Sequence, residues 1–275
     1  MDPTTPLDAR PLDVANTFQD AFRAIAANFG TFLVIGLIST VPGSIMGFVI
    51  QVVMSDQLSA LQDPQRVLGA LSAMFGAYVI MMVVLMALSA IGQGAAIYAT
   101  VEHLVGRKAS VGDALRVGLG RFVWLFLGSL LVGLIVGFGS IFCLLPGMIA
   151  WVWLSAAMPA IAVEDIGPLQ AIQRSIELTE GHRVTISIVY ALLFGVLFGF
   201  SCCIAGPAGA ISGAGAAPGE MPDPFAPGQI VMQILNFFIS LGFFMLMTSV
   251  ISVVYARLRG LREGVDAGAL AKVFS

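Results

Sequence analysis

FVWLFLGSLLVGLIVGFGSIFCLLPGMIAWVWLSAAMPAIAV, residues 122 to 163, runs for 42 residues without a Lys, Arg, Asp or Glu. About 20 apolar residues rising ~1.5 Å each cross the ~30 Å hydrocarbon layer of a bilayer, so this stretch holds material for two crossings. Leu145-Pro146-Gly147 divides it. Pro-Gly is a turn signal, and the reading is a hairpin with arms over 122–144 and 147–163, the second arm short.

Four further uncharged runs flank it: Ala24–Ser55, Val67–Val101, Val184–Gly219 and Pro224–Ala256, of 32, 35, 36 and 33 residues. The first predicts a span at 31–53 carrying Pro42-Gly43; neither half is long enough to cross alone, so the expectation is one kinked helix. The second predicts a span at 67–101. The fourth predicts a span at 184–204, then an exposed loop at 205–228 rich in Gly, Ala and Pro. The last predicts a span at 229–255 and a tail at 256–275. The expected fold is an all-α integral membrane protein of six transmembrane helices in three hairpins, forming one membrane domain over residues 1–275.

Composition agrees with this reading. Apolar residues make up 58 % of the chain and charged residues 11 %, against about 25 % charged in soluble domains. The first 23 residues lack the compact apolar stretch of a cleavable signal peptide, so the mature chain is expected to begin at Met1. A formal charge of −3 without a Lys/Arg block excludes nucleic acid as an expected partner.

Cations set the expected orientation, because cytoplasmic loops accumulate Lys and Arg. With the N-terminus inside, twelve of the thirteen Lys and Arg residues fall on the inner side, and Arg66 alone falls outside. This predicts a membrane protein with both termini cytoplasmic. Trp124, Tyr98 and Tyr255 fall near the same boundary, where amphipathic rings prefer to lie.

A short pattern recurs ahead of the odd-numbered spans. Asp20-Ala21-Phe22-Arg23 precedes Phe29, and Asp113-Ala114-Leu115-Arg116 precedes Phe122 with the same offset of six from Arg to Phe. A looser version, Gln170-Ala171-Ile172-Gln173-Arg174, precedes the fifth span. Val14, Phe18, Ala21, Phe22 and Ile25 share one helical stripe, as do Leu169, Ile172 and Ile176. The reading is an amphipathic helix on the inner surface before each hairpin, the first over 12–29.

Between Leu145 and Gly181 the chain carries Pro146-Gly147, Pro159, Glu164, Gly167, Ala171, Arg174-Ser175, Leu178-Thr179 and Gly181. This resembles the P-G…P…E-x-x-G-x-x-x-A-x-x-R-S-x-x-L-T-x-G signature of the glycerophosphoryl diester phosphodiesterase membrane-domain family. Tyr255-x-x-Leu258-Arg259 followed by Glu263-Gly264 is similar to that family's last span. The resemblance implies a bacterial multi-span membrane domain, found alone or joined to a soluble phosphodiesterase. It does not imply catalysis, since nothing in this chain supplies the soluble catalytic barrel.

From the residues themselves, two readings of the motif stay open. One is a capped helix packed under the bundle, with Arg174 reaching Glu177. The other is contact with an anionic headgroup or a membrane or cytoplasmic protein partner through Arg23, Arg116, Glu164, Arg174, Ser175, Thr179, Gly181 and Arg259. In the last span Gln229, Gln233, Asn236 and Ser240 are spaced four, three and four apart and share a face. That face serves either interhelical hydrogen bonding or the wall of a polar cavity. Gly133-x-x-x-Gly137 and Gly195-x-x-x-Gly199 permit close helix contact, expected within the chain.

No ionisable residue is expected inside a span, which argues against a proton- or ion-coupled pump. Cys143, Cys202 and Cys203 end two spans near the outer face, where a disulfide from Cys143 competes with ordinary buried thiols. His103 and His182 lie beside Glu102 and Glu180 but define no metal site. No metal and no cofactor is expected, and no catalytic set. The leading expectation is a non-enzymatic membrane protein acting as scaffold, partner subunit or lipid-interacting element. The alternative is a transporter or flippase-like carrier of an amphiphile.

Overall fold

A computed structural model of the chain describes residues 12–60, 67–104, 106–142, 144–213 and 225–263. Among the described residues the chain is helical throughout, without a strand: α1 Val14–Ala27, α2 Phe29–Ala60, α3 Val67–Leu104, α4 Val111–Gly120, α5 Phe122–Phe142, α6 Leu144–Leu154, α7 Ala157–Glu164, α8 Pro168–Thr179, α9 Arg183–Gly213 and α10 Pro227–Glu263. Six segments are long and apolar enough to cross a membrane: Phe29–Val53, Phe75–Leu104, Phe122–Ile141, Pro146–Glu164, Arg183–Cys203 and Pro227–Arg262. Large apolar side chains cover their outward faces, among them Ile141, Phe198 and Phe75, each more than 70 % exposed. Such a surface suits lipid.

α3 and α10 form the centre of the bundle. α3 packs against α2, α4, α5, α7 and α10, and α10 packs against α1, α2, α3 and α9. α2 lies along α3, α5 along α6, and α9 along α10. Glycine sets the tightest crossing: a Cβ on Gly118 of α4 would strike the Ile91 carbonyl of α3, and one on Gly94 would lie 3.1 Å from Gly118 Cα. The expected GxxxG contacts do not form in this way. Gly137, Gly195 and Gly199 have open space around them, and Gly133 meets only Met86.

Several boundaries differ from the sequence expectation. α5 ends at Phe142 and α6 begins at Leu144, ahead of Pro146, so Pro146-Gly147 lies in the first turn of α6. A missing amide hydrogen costs a helix nothing there. Gly147 permits the close approach of α5, since a Cβ on Gly139 would come 3.2 Å from Gly147 Cα. The fourth span is two helices, α6 and α7, parted at Ser155-Ala156. That segment is 61 % buried within the protein, and an interrupted helix is tolerated at membrane depth when protein, rather than lipid, surrounds it.

α9 continues to Gly213, so residues 205–213 of the expected loop are helical, and 214–224 lie outside the described residues. α10 continues to Glu263, eight residues into the expected tail. α2 passes through Pro42 as one helix, as expected.

All three short helices of the repeat exist, and in each the alanine is fully buried: Ala21, Ala114 and Ala171. The stripe of α1 turns partly inward, with Val14, Phe18 and Ile25 packed against the core, whereas that of α8 does not. Thr17, Asp20, Ala21 and Ala24 form the buried face of α1, and Ala171, Ser175, Leu178 and Thr179 that of α8. Phe22 and Leu169 point away from the bundle, 57 % and 70 % exposed. Small residues at the fully buried positions let the helix backbones lie close under the spans.

Candidate functional site

The glutamate of the family-like motif is the hub of the arginine-rich end. Glu164 closes α7, and the next residue, Asp165, is left-handed at φ 55° and turns the chain towards α8. Arg174 of α8 donates its Nε hydrogen to Glu164 Oε2 at 3.1 Å and lies 3.3 Å from Oε1. Tyr255 of α10 donates to Glu164 Oε1 at 2.7 Å. Arg259, one turn later, brings Nε to 3.9 Å from that oxygen and NH1 to 3.5 Å from the Tyr255 hydroxyl. Three helices thus meet on one carboxylate. Tyr255 is buried in the core and not in an aromatic belt.

Ser175, the next motif residue, fills the break between α6 and α7. Its hydroxyl donates to the Trp153 carbonyl at 2.7 Å and accepts from the Ala156 amide at 3.1 Å. Both backbone groups would otherwise lack helical partners. Thr179 is buried and donates to the Ile176 carbonyl. Gly181 takes φ +84°, a left-handed conformation that accounts for glycine at this motif position.

Two equivalent positions, each one residue before the repeated Phe, clamp successive parts of the chain together. Asn28 accepts from the Ala109 amide at 3.2 Å, while Thr31 donates to the Ala109 carbonyl at 2.9 Å. Arg121 donates NH1 hydrogens to the Ile161 and Ala162 carbonyls at 3.2 and 2.7 Å, capping the last turn of α7. α10 closes on α1: Arg257, 3 % exposed, donates to Asp20 and to Thr17 Oγ1. Arg262 donates to the Glu180 carbonyl at 3.0 Å. Sequence reasoning missed the Asp20–Arg257 pair, although Asp20 belongs to the repeat it found. It also placed no ionisable residue within a span, whereas Glu102 and Arg257 are buried on helices continuous with two of them.

The remaining motif arginines face outward. Arg23 is exposed with NH1 4.0 Å from Asp20 Oδ1, and Arg116 is exposed on α4.

Towards the other end, the polar face of the last span meets α2. Gln233, Asn236 and Ser240 of α10 and Ser39, Thr40 and Ser44 of α2 line a groove of about 470 Å³ beside Gly43 and Gly47. Gln233 donates Nε2 to the Ser44 carbonyl at 3.5 Å. One residue of this face thus bridges the helices, and the face also lines the groove. Cys202 and Cys203 are free and exposed, and Cys143 lies outside the described residues. Among the described residues no three His, Cys, Asp or Glu side chains gather as a metal site would require.

No family model matches the chain, and no curated protein or solved structure does. In this fold Glu164, Arg174, Ser175 and Tyr255 join α6, α7, α8 and α10.

Proposed function

We propose that this chain is a non-enzymatic, multi-pass protein of a bacterial inner membrane. Both termini are cytoplasmic, and three helix hairpins are each introduced by an interfacial helix. It works as a lipid-interacting element, scaffold or partner subunit of the kind the phosphodiesterase membrane-domain resemblance implies. The observation that carries this reading is the outer surface of the short helices, where exposed Phe22 adjoins Arg23 and exposed Leu119 lies one turn from Arg116. An apolar side chain beside a cation suits the headgroup boundary of an anionic leaflet. Glu164 binds Arg174 and Arg259, so Arg23 and Arg116 are the residues of the predicted set best placed for headgroups.

The test is reconstitution of the Arg23→Gln/Arg116→Gln double variant and the parent chain in vesicles with and without phosphatidylglycerol. Anionic lipid stabilises the parent and loses its effect on the variant. Equal stabilisation of both would overturn the reading.

A second reading, a carrier of an amphiphile, is favoured by the α2–α10 groove. It predicts transbilayer movement of a labelled lipid in proteoliposomes, which filling the groove with Gly43→Leu would stop.

A further inference from the structure

The groove between α2 and α10 has a hydrogen-bonding character that selects its ligand. Ser39, Thr40 and Ser44 donate their hydroxyl hydrogens to carbonyls four residues back in their own helix, Ile35, Gly36 and Thr40, at 2.9, 2.8 and 3.0 Å. Their donors are spent on the backbone, and their oxygen lone pairs remain for a ligand. With Gln233 Nε2 on the Ser44 carbonyl, the same residue offers its Oε1 as a further acceptor. None of the lining residues is ionisable.

The surface is therefore free of charge and offers these acceptors together with the neutral amide hydrogens of Asn236 and Gln233. A phosphate or carboxylate is held best by cations and would find none here. A group bearing many hydroxyls would have its hydrogens accepted on both walls. The volume of about 470 Å³ is within the ~300–1,000 Å³ of ligand clefts.

Depth and opening decide how that group arrives. Counting ~1.5 Å per residue from Asn28, Ser39 lies ~17 Å and Gly47 ~29 Å along α2, from the middle to the far edge of a ~30 Å hydrocarbon layer. Asn236, Ser240 and Gly47 are exposed, so the groove opens sideways into the bilayer. We infer that it binds the uncharged, hydroxyl-rich headgroup of a membrane lipid, a glycosyl group whose acyl chains stay in the surrounding bilayer. This deepens the carrier reading and rests on the same groove. Binding without transbilayer movement would remove that reading and leave the ligand assignment standing.

The test uses the full chain carrying Arg23→Gln and Arg116→Gln, which removes the interfacial headgroup contacts, in phosphatidylcholine nanodiscs doped equally with glucosyl diacylglycerol and phosphatidylglycerol of matched acyl chains. Native mass spectrometry reads the lipid retained. The glucolipid is expected to exceed phosphatidylglycerol about tenfold, the discrimination that one or two hydrogen bonds supply. Gln233→Leu/Asn236→Leu removes that excess, and Val196→Leu on the lipid-facing surface of α9 keeps it. Should the double variant fail to fold, Ser240→Ala with Thr40→Val gives the same readout. Equal retention of the two lipids, a preference for phosphatidylglycerol, or an excess that survives the groove substitutions would overturn the assignment. Methyl glucoside in solution is expected not to displace the glucolipid; displacement at comparable concentration would make the ligand a free sugar and overturn the lipid-borne claim.

Discussion

Tyr255 donates a 2.7 Å hydrogen bond to Glu164, a residue 91 positions earlier, and so ties the last span to the end of the fourth. Arg174 binds the same carboxylate from α8. Removing the charge of Glu164 would leave two arginines, 174 and 259, facing each other without their shared anion. Glu164→Gln is expected to destabilise the protein by ~2–3 kcal/mol, between the loss of an exposed ion pair and that of a fully buried one. Tyr255→Phe is expected to cost less, ~1–3 kcal/mol. Denaturation in detergent micelles, run as a double-mutant cycle, checks both values and predicts strong non-additivity between them.

Asp20 and Arg257 form a second lock, buried between α1 and α10. Asp20→Ala strands a guanidinium that is 3 % exposed and should cost ~3–5 kcal/mol. Asp113 holds the matching place in the second repeat but is exposed, so Asp113→Ala should change stability by less than ~1 kcal/mol. Thermal melts of the two variants measure the contrast. Equal losses would show that the repeated aspartate has one role in both units.

Ser175 is predicted to hold the broken fourth span together. Ser175→Ala leaves the Trp153 carbonyl and the Ala156 amide without their partner, at ~1–3 kcal/mol. Amide hydrogen exchange should accelerate at Ala156 more than at Ala171 on the same variant, because only the former loses its acceptor.

Gly118 is expected to be intolerant of any side chain. Its Cβ would meet backbone at Ile91 and Ala95, and backbone cannot rotate aside, so Gly118→Ala should cost ~1–3 kcal/mol or more. Gly195→Ala, in open space, should be neutral or slightly stabilising through helix propensity. The pair can be compared by unfolding in mixed micelles.

Span number and the shared face of Gln233, Asn236 and Ser240 were legible in the sequence because both depend on local arithmetic. The length of an uncharged run and a helical period need no knowledge of partners. The reach of α10 to Glu263 was not legible, since Arg257, Arg259 and Arg262 read as solvent charges until Asp20, Glu164 and Glu180 are placed against them. The same holds for the interfacial helices. Their apolar stripe is obvious in sequence, yet Phe22 and Leu169 within it face outward, and the fully buried positions include Ala21 and Thr17, or Ala171 and Ser175, where small side chains let the helices approach closely. The GxxxG pairs misled for a related reason: a glycine matters where a neighbour's backbone arrives, as at Gly118, and spacing alone does not reveal the neighbour.

The central claim is that six crossings hold the arginine-rich end of the bundle in one compartment. In a background of Cys143→Ser, Cys202→Ser and Cys203→Ser, single cysteines at Lys108 and Ala226 can be treated with a membrane-impermeant maleimide in intact cells. Labelling of Ala226→Cys with protection of Lys108→Cys until the membrane is broken is the predicted result; labelling of both, or of neither, before lysis would contradict it.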